Sequence, residues 1–142
     1  MKGIEIVDKI VLDASVVLEW LAHGPAAEAA LAIHNKIVEG KTVAWAPDFL
    51  LIEIVNILFW KKRFPKSDID GFTNRLHDIG INFDNTPVPS EMHALSALVV
   101  EHRISAYDAQ YLYVAQKLNC KLVSFDKDLL KIKEWVIAPP SS

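Results

Sequence analysis

The sequence predicts an α/β domain in which a mostly parallel sheet is covered by helices on both faces. Two observations carry this expectation. Short apolar runs of strand character alternate along the chain with longer segments of helical period. The 142 residues, 51% hydrophobic and 23% charged, suit one compact domain with enough apolar material for its own core. We read residues 1–138 as that single domain and the closing Pro139-Pro140-Ser141-Ser142 as a short tail.

Residues 9–12, Lys-Ile-Val-Leu, form a buried strand that ends at Asp13. Ser15 is placed to cap a helix reaching about Leu21. Pro25 opens a second helix with Ala27, Ala30, Leu31, His34 and Val38 on one face, and Gly40 ends it. Residues 42–46 form a short strand, and Pro47-Asp48 opens a long helix running to about Arg63. Ser67 and Asp70 have capping-box spacing for a helix reaching about Ile79. Residues 81–83 make a short strand, Ser90 starts a helix through His102, and Ser105 caps a helix over residues 106–118. Residues 121–124, Lys-Leu-Val-Ser, are the next strand; a short helix from Lys127 and a last strand over residues 135–137 complete the chain.

The net charge of −3 argues against a protein that coats nucleic acid by bulk electrostatics. It leaves room for a nuclease, because a cluster of metal-binding acids lowers the total while a basic rim contacts phosphate. Lys61-Lys62-Arg63 and the group Lys127, Lys131 and Lys133 could form such a rim, and solvated helix ends account for each group equally well. Cys120 is the only cysteine, so an internal disulfide is excluded and a reducing compartment is expected. The opening Met1-Lys2-Gly3-Ile4-Glu5 lacks a secretory layout, and the apolar run over residues 49–60 is too short to span a bilayer. A soluble cytoplasmic protein is the expectation.

In open parallel sheets, ligands gather at the carboxyl ends of the strands, and Asp13 and Asp126 both sit just after expected strands. Glu53 is the most informative acid. Residues 49–60 are apolar except for Glu53 and Asn56, which are three apart and share a helix face. A helix apolar nearly all round is expected to be buried, and a buried carboxylate is costly unless paired or bound to a cation. A salt bridge, or an exposed stripe, is the other account. Asp108, in Ser105-Ala106-Tyr107-Asp108, fits a capping box; Asp126 fits a helix N-cap; Asp13 fits an ordinary strand-end turn. Those structural roles explain each acid alone and leave the set unexplained.

The set has a chemical purpose. Mg²⁺ and Mn²⁺ take hard oxygen ligands, often one or two carboxylates with water and substrate phosphate. Four carboxylates in one pocket repel each other unless a cation neutralises them. Ser15 and Asn56 suit supporting positions, holding waters or carboxylates. Other chemistries are poorly served, since the sequence has no Gly-rich phosphate loop and no Gly-x-Ser-x-Gly elbow. Cys120 has no thiolate partner for zinc. His23, His34, His77, His93 and His102 show no ligand spacing, and Asp13 lacks the second acid two residues on that an aspartyl-phosphate phosphatase uses.

Several segments together resemble the PIN-domain family, most closely its VapC-type ribonuclease toxins. They are Val11-Leu12-Asp13-Ala14-Ser15, Pro47 with Glu53 and Asn56, Ser105 to Tyr111 with Ala115, and Leu122-Val123-Ser124-Phe125-Asp126. Ser124 stands where that family often has Thr, so a hydroxyl is kept. The resemblance covers the chain from about Val11 to Asp128. It implies a three-layer α/β/α fold with a parallel five-stranded sheet of order 3-2-1-4-5. It implies Mg²⁺- or Mn²⁺-dependent RNA hydrolysis leaving 5′-phosphate and 3′-hydroxyl ends. Asp13, Glu53, Asp108 and Asp126 then become the catalytic and metal-binding acids, with Ser15, Asn56 and Ser124 supporting. A small inhibitory antitoxin and a homodimer are the implied partners.

Three functions of different class follow. An RNA endonuclease, as the toxin of a toxin–antitoxin pair, needs all four acids, and all four are present. A catalytically silent PIN-fold interaction module would be expected to lack one. A metal-dependent phosphatase or DNA nuclease could share the pocket. Large apolar residues on the helix over residues 49–60, with Trp20, Phe72 and Trp135, exceed what a small core clearly needs, and a dimer or antitoxin surface would use them.

Overall fold

The computed structural model describes residues 7–22, 24–85 and 87–140; residues 1–5, His23, Ser141 and Ser142, all read above from the sequence, lie outside the described residues. Among the described residues the chain runs β1 (Asp8–Leu12), α1 (Ala14–Glu19), α2 (Pro25–Val38), β2 (Thr42–Pro47), α3 (Leu50–Trp60), α4 (Lys66–Ile79) and β3 (Asn82–Asp84). A 3-10 turn (Pro89–Glu91) then leads to α5 (Met92–His102), α6 (Ala106–Leu118), β4 (Lys121–Val123), α7 (Lys127–Leu130) and β5 (Val136–Ile137). The strands form one sheet in the order β3-β2-β1-β4-β5, with every pairing parallel. This is the three-layer α/β/α arrangement expected above.

Parallel crossovers are right-handed. The links from β1 to β2 and from β2 to β3 run one way across the sheet and carry α1 to α4 over one face. The links into β4 and β5 run the other way and carry α5 to α7 over the other. The direction reverses beside β1, whose neighbours are β2 and β4. The crevice at such a switch point opens at the carboxyl ends of the strands. Here those ends lead to Asp13 and, three residues beyond Val123, to Asp126.

The core lies on both sides of the central strands. Val11 and Leu12 of β1, Ala44 and Ala46 of β2, and Leu122 and Val123 of β4 are all buried, as strands covered on both faces require. Leu50, Ile54 and Leu58 form one buried stripe of α3. α6 is enclosed over most of its length, burying Ala109, Gln110, Tyr111, Leu112, Val114 and Ala115 while it crosses β1, β2 and β4. Its carboxyl half is tied to the sheet edge. Lys117 Nζ stands 2.6 Å from Asp84 Oδ2, and the Tyr113 hydroxyl donates to Glu91 Oε2 at 2.5 Å.

Several local expectations are corrected. Asp13, not Ser15, is the N-cap of α1, because its extended backbone lets its carboxylate accept from the Ser15 and Val16 N–H groups. The helix ends at Glu19, short of Leu21. On α2, Ala27, Ala29, Ala30, Ile33 and Ile37 are buried, whereas Leu31 and Val38 are exposed. The small alanines let α2 approach α1, where Trp20 Nε1 donates to the Ala30 carbonyl at 2.9 Å. Gly40, at φ +75°, leaves α2 through the left-handed region as expected.

Pro47 belongs to β2, not to the helix that follows. It pairs with Asp84, and the Asp48 N–H extends the ladder to the Asp84 carbonyl at 2.9 Å, so the helix starts only at Leu50. It stops at Trp60, before Arg63, which has φ +60°. No Ser67 capping box forms: Pro65 is the N-cap of α4, and Asp70 instead pairs with Lys66 at 2.6 Å. β3 starts one residue later than expected, β4 stops before Ser124, and β5 starts after Trp135. Ser90 lies in the 3-10 turn, where the Glu91 carboxylate accepts from the Val88 N–H at 3.3 Å. The helix read as buried all round is two-sided: Ile52 is 74% and Trp60 63% exposed, with Val55 and Phe59 exposed beside them. Phe72, counted above as surplus apolar surface, is in the core. Among the described residues no helix is long and apolar enough to cross a membrane.

Packing predicts a contrast between α3 and α5. Leu58→Ala removes a fully buried side chain and is expected to cost about 2–5 kcal/mol of stability. Val100→Ala, at an exposed position of α5, is expected to stay within about 0.5 kcal/mol. Urea unfolding of the two variants beside the parent chain measures both.

Candidate active site

Asp13 leaves β1 directly into the first turn of α1 and is only 5% exposed. Its Oδ1 accepts from the Ser15 N–H at 3.1 Å, the Ser15 hydroxyl at 2.5 Å and the Val16 N–H at 3.4 Å. Its Oδ2 accepts from the Ser124 hydroxyl. The two serines also join the far side of the crevice. Ser15 Oγ accepts from the Phe125 N–H at 3.0 Å, and Ser124 Oγ accepts from the Asp126 N–H at 2.9 Å. One carboxylate and two hydroxyls therefore lace the end of β1 to the end of β4.

The other acids reach the same cleft from separate elements. Asp13, Ser15, Glu53, Asp108, Tyr111 and Asp126 all line it, with Lys61 at its edge, around a volume of about 390 Å³. Glu53 is carried by the first turn of α3 and accepts from the Tyr111 hydroxyl at 3.2 Å. Asp108 lies in the first turn of α6, where its N–H donates to the Ser105 hydroxyl at 3.0 Å. Asp126 is the N-cap of α7, its Oδ1 accepting from the Asp128 N–H at 2.9 Å and the Leu129 N–H at 3.0 Å. The capping role expected of Asp126 coexists with a place in the cleft; on α6 the cap is the Ser105 hydroxyl, and Asp108 contributes its N–H.

Burial and mutual repulsion push Asp13, Glu53 and Asp108 toward the neutral form. Asp13 is pushed up to about 6, first by desolvation; the Ser124 and Ser15 hydroxyls and the Val16 N–H hold it down, and Asp108 adds repulsion. Glu53 is raised by burial and by Asp13 and Asp108, against the Tyr111 hydrogen bond and the Lys61 charge. Asp108 is raised by burial, Asp126 and Asp128, against the Ser105 hydroxyl. Tyr111 is raised by burial and the surrounding acids, so its hydroxyl stays a donor.

Among the described residues no group of three acid, histidine or cysteine side chains is already gathered as a metal cage. The donor set still fits a hard divalent cation, since Mg²⁺ commonly takes one or two carboxylates and completes its shell with water. The crowded, partly desolvated carboxylates have the charge such an ion would neutralise.

Asn56 does not line this cleft. It is exposed and faces the adjoining groove with Phe49, Ile52, Glu53 and Tyr107. Two polar residues of the cleft, Tyr111 and Lys61, lie outside the site set expected from the sequence. Tyr111 is three residues after Asp108 on α6, and Lys61, the C-cap of α3, is eight after Glu53, so both follow the helical spacing of an acid already named. Lys61 was read only as part of a rim.

A family model described as PIN domain matches residues 10–134. The chain belongs to the PIN domain family. Three solved structures share the fold of this PIN domain. VapC20 of Mycobacterium tuberculosis, a sarcin–ricin-loop-cleaving toxin, is 17% identical with a TM-score of 0.70, covering 92% of this chain and 99% of its own. PAE2754 of Pyrobaculum aerophilum is 23% identical with a TM-score of 0.65, covering 94% and 91%. FitAcB of Neisseria gonorrhoeae is 18% identical with a TM-score of 0.65, covering 92% and 97%. No curated protein matches the sequence.

The raised Asp13 gives this PIN domain a signed pH dependence. A carboxyl held above its unfolded value contributes stability below that value and loses it as pH rises through the folded one, here from about 4 to about 6. In EDTA, the unfolding free energy of Asp13→Asn relative to the parent chain is expected to improve by up to about 3 kcal/mol between about pH 4 and about pH 7. Urea titrations across that range decide it, and a flat difference would contradict the burial assigned to Asp13.

Proposed function

We propose that this PIN domain is a metal-dependent endoribonuclease that hydrolyses RNA phosphodiester bonds at the acid cleft, as the toxin of a toxin–antitoxin pair. The observation that carries the reading is the convergence of Asp13, Glu53, Asp108 and Asp126, from four different elements, on one cleft. The resemblance of the sequence to VapC-type toxins and the fold shared with VapC20 support it. A small antitoxin and a second copy of the chain are the partners that reading brings with it, and the cytoplasm is the compartment.

The four acids would hold Mg²⁺ or Mn²⁺. Bound there, such an ion would supply Lewis acidity toward a water, the phosphodiester and the leaving oxygen. The chain's own residues prepare the place. The Ser15 and Ser124 hydroxyls fix the plane of the Asp13 carboxylate. The Tyr111 hydroxyl engages Glu53 Oε1. The amino end of α6, which carries Asp108, adds a dipole favourable to anions. Lys61, which has no salt bridge among the described residues, offers a cation to a substrate phosphate.

Purified protein is expected to cut total RNA at discrete sites with Mg²⁺ or Mn²⁺ and to stop in EDTA. Asp13→Asn and Asp108→Asn should lose those cuts, while Ser124→Ala, which removes only a carboxylate support, should slow them roughly 10–100-fold. Cutting that persists in EDTA, or in both Asp variants, would sink the assignment. Parallel reactions on single-stranded DNA separate a ribonuclease from a DNA nuclease. In cells, induction of the parent chain should arrest growth and Asp13→Asn should not; equal arrest by both would remove the toxin role.

A further inference from the structure

Beside the acid cleft runs a groove that the chemistry above does not use. Ile52 and Asn56 form one exposed stripe of α3, next to the Glu53, Ile57 and Lys61 stripe that lines the cleft. Tyr107, 68% exposed, stands in the first turn of α6. Phe49 meets the Tyr107 ring edge-on at 5.8 Å and the Tyr111 ring at 5.3 Å, so its ring packs against both tyrosines. With Glu53 these residues enclose about 390 Å³.

The groove and the cleft are joined at both walls. Glu53 lines both. On α3, Ile52 lines the groove and the next residue, Glu53, reaches the cleft. On α6, Tyr107 lines the groove and the next residue, Asp108, lines the cleft. A ligand whose phosphate lies among the acids therefore has its neighbouring group led into the groove. The lining suits a flat heterocycle with a polar edge: an exposed aromatic ring, an aliphatic side chain, and a primary amide able to donate and accept. Lys61 at the cleft edge, with Lys62 and Arg63 following it, supplies positive charge for the strand that would continue past the site.

We propose that the groove walled by Phe49, Ile52, Asn56 and Tyr107 is a nucleobase subsite, taking the unstacked base of the RNA nucleotide whose phosphate lies in the acid cleft. Tyr107 stacks on the base and Asn56 reads its edge. The inference rests on the ribonuclease reading, because the two pockets take parts of one nucleotide. A more apolar groove continues past Ile52 and Asn56 to Val55, Phe59, Trp60 and Thr73, and offers little that could read a base. The subsite does not include it.

The test is binding of fluorescein-labelled oligo(A), oligo(C) and oligo(U) ribonucleotides in Ca²⁺ buffer, beside cleavage kinetics in Mg²⁺ or Mn²⁺. Tyr107→Ala is expected to weaken binding of the preferred oligomer roughly 5- to 150-fold, with Tyr107→Phe close to the parent chain. Asn56→Ala is expected to change the rank order of the three oligomers while the salt dependence of binding stays the same, since phosphate contacts are untouched. Unchanged affinity and unchanged rank order in both variants would overturn the subsite. So would variants that keep RNA binding but lose a self-association of the parent chain in sedimentation, which would make the groove a protein contact. Base-dependent binding lost in Tyr107→Ala, with no RNA cut by the parent chain under any metal, would keep the subsite and discard the nuclease reading. Cleavage whose KM and sequence preference ignore both substitutions would do the reverse.

Discussion

The carboxylate of Asp13 links three parts of the molecule. It ends β1, caps the first turn of α1, and takes the Ser124 hydroxyl from the chain just beyond β4. Ser15 and Ser124 then pass the connection to the Phe125 and Asp126 N–H groups. The mouth of the sheet at its switch point is thus held by hydrogen bonds to one buried anion. Hydrogen bonds to a charged group are stronger than neutral ones, which suits a junction that must be rigid while its anion is kept out of water.

Burying that anion in a cleft with three other acids has a cost, visible in the upward push on Asp13, Glu53 and Asp108, which comes first from desolvation and then from mutual repulsion. The fold offsets part of it by a feature common to all four acids. Asp13 and Asp126 are N-caps, and Glu53 and Asp108 lie in the first turns of their helices. α1, α3, α6 and α7 all begin at this cleft, so the positive ends of their helix dipoles gather at one place. For Asp126, capping a helix and building an acid cleft are therefore one role, where the sequence had presented them as alternatives.

α3 shows how one helix serves three surroundings. Leu50, Ile54 and Leu58 enter the core; Glu53, Ile57 and Lys61 turn to the cleft; Ile52, Val55, Phe59 and Trp60 face outward. Hydropathy alone cannot separate the first stripe from the third, because both are apolar. The expectation of a helix buried all round followed from that ambiguity, and it also drew Asn56 toward the metal site. Three residues from Glu53 is near enough to share a broad face, yet the helix turns far enough between them to put Asn56 in the neighbouring groove.

By itself the sequence determined the alternation of strands and helices, the acids at the carboxyl edge, and, through several short segments resembling PIN domains, the strand order. These are legible because local period, capping residues and strand-end position are properties of a few consecutive residues. It did not determine that Asp13 rather than Ser15 caps α1, which stripe of α2 or α3 is buried, or that Tyr111 and Lys61 belong to the cleft. Those were decided by tertiary structure. Each depends on a group distant in the chain, such as Ser124 across the switch point from Asp13 or Tyr111 against Glu53, and contacts of that separation exist only once the sheet has set its strand order and the helices have closed over it.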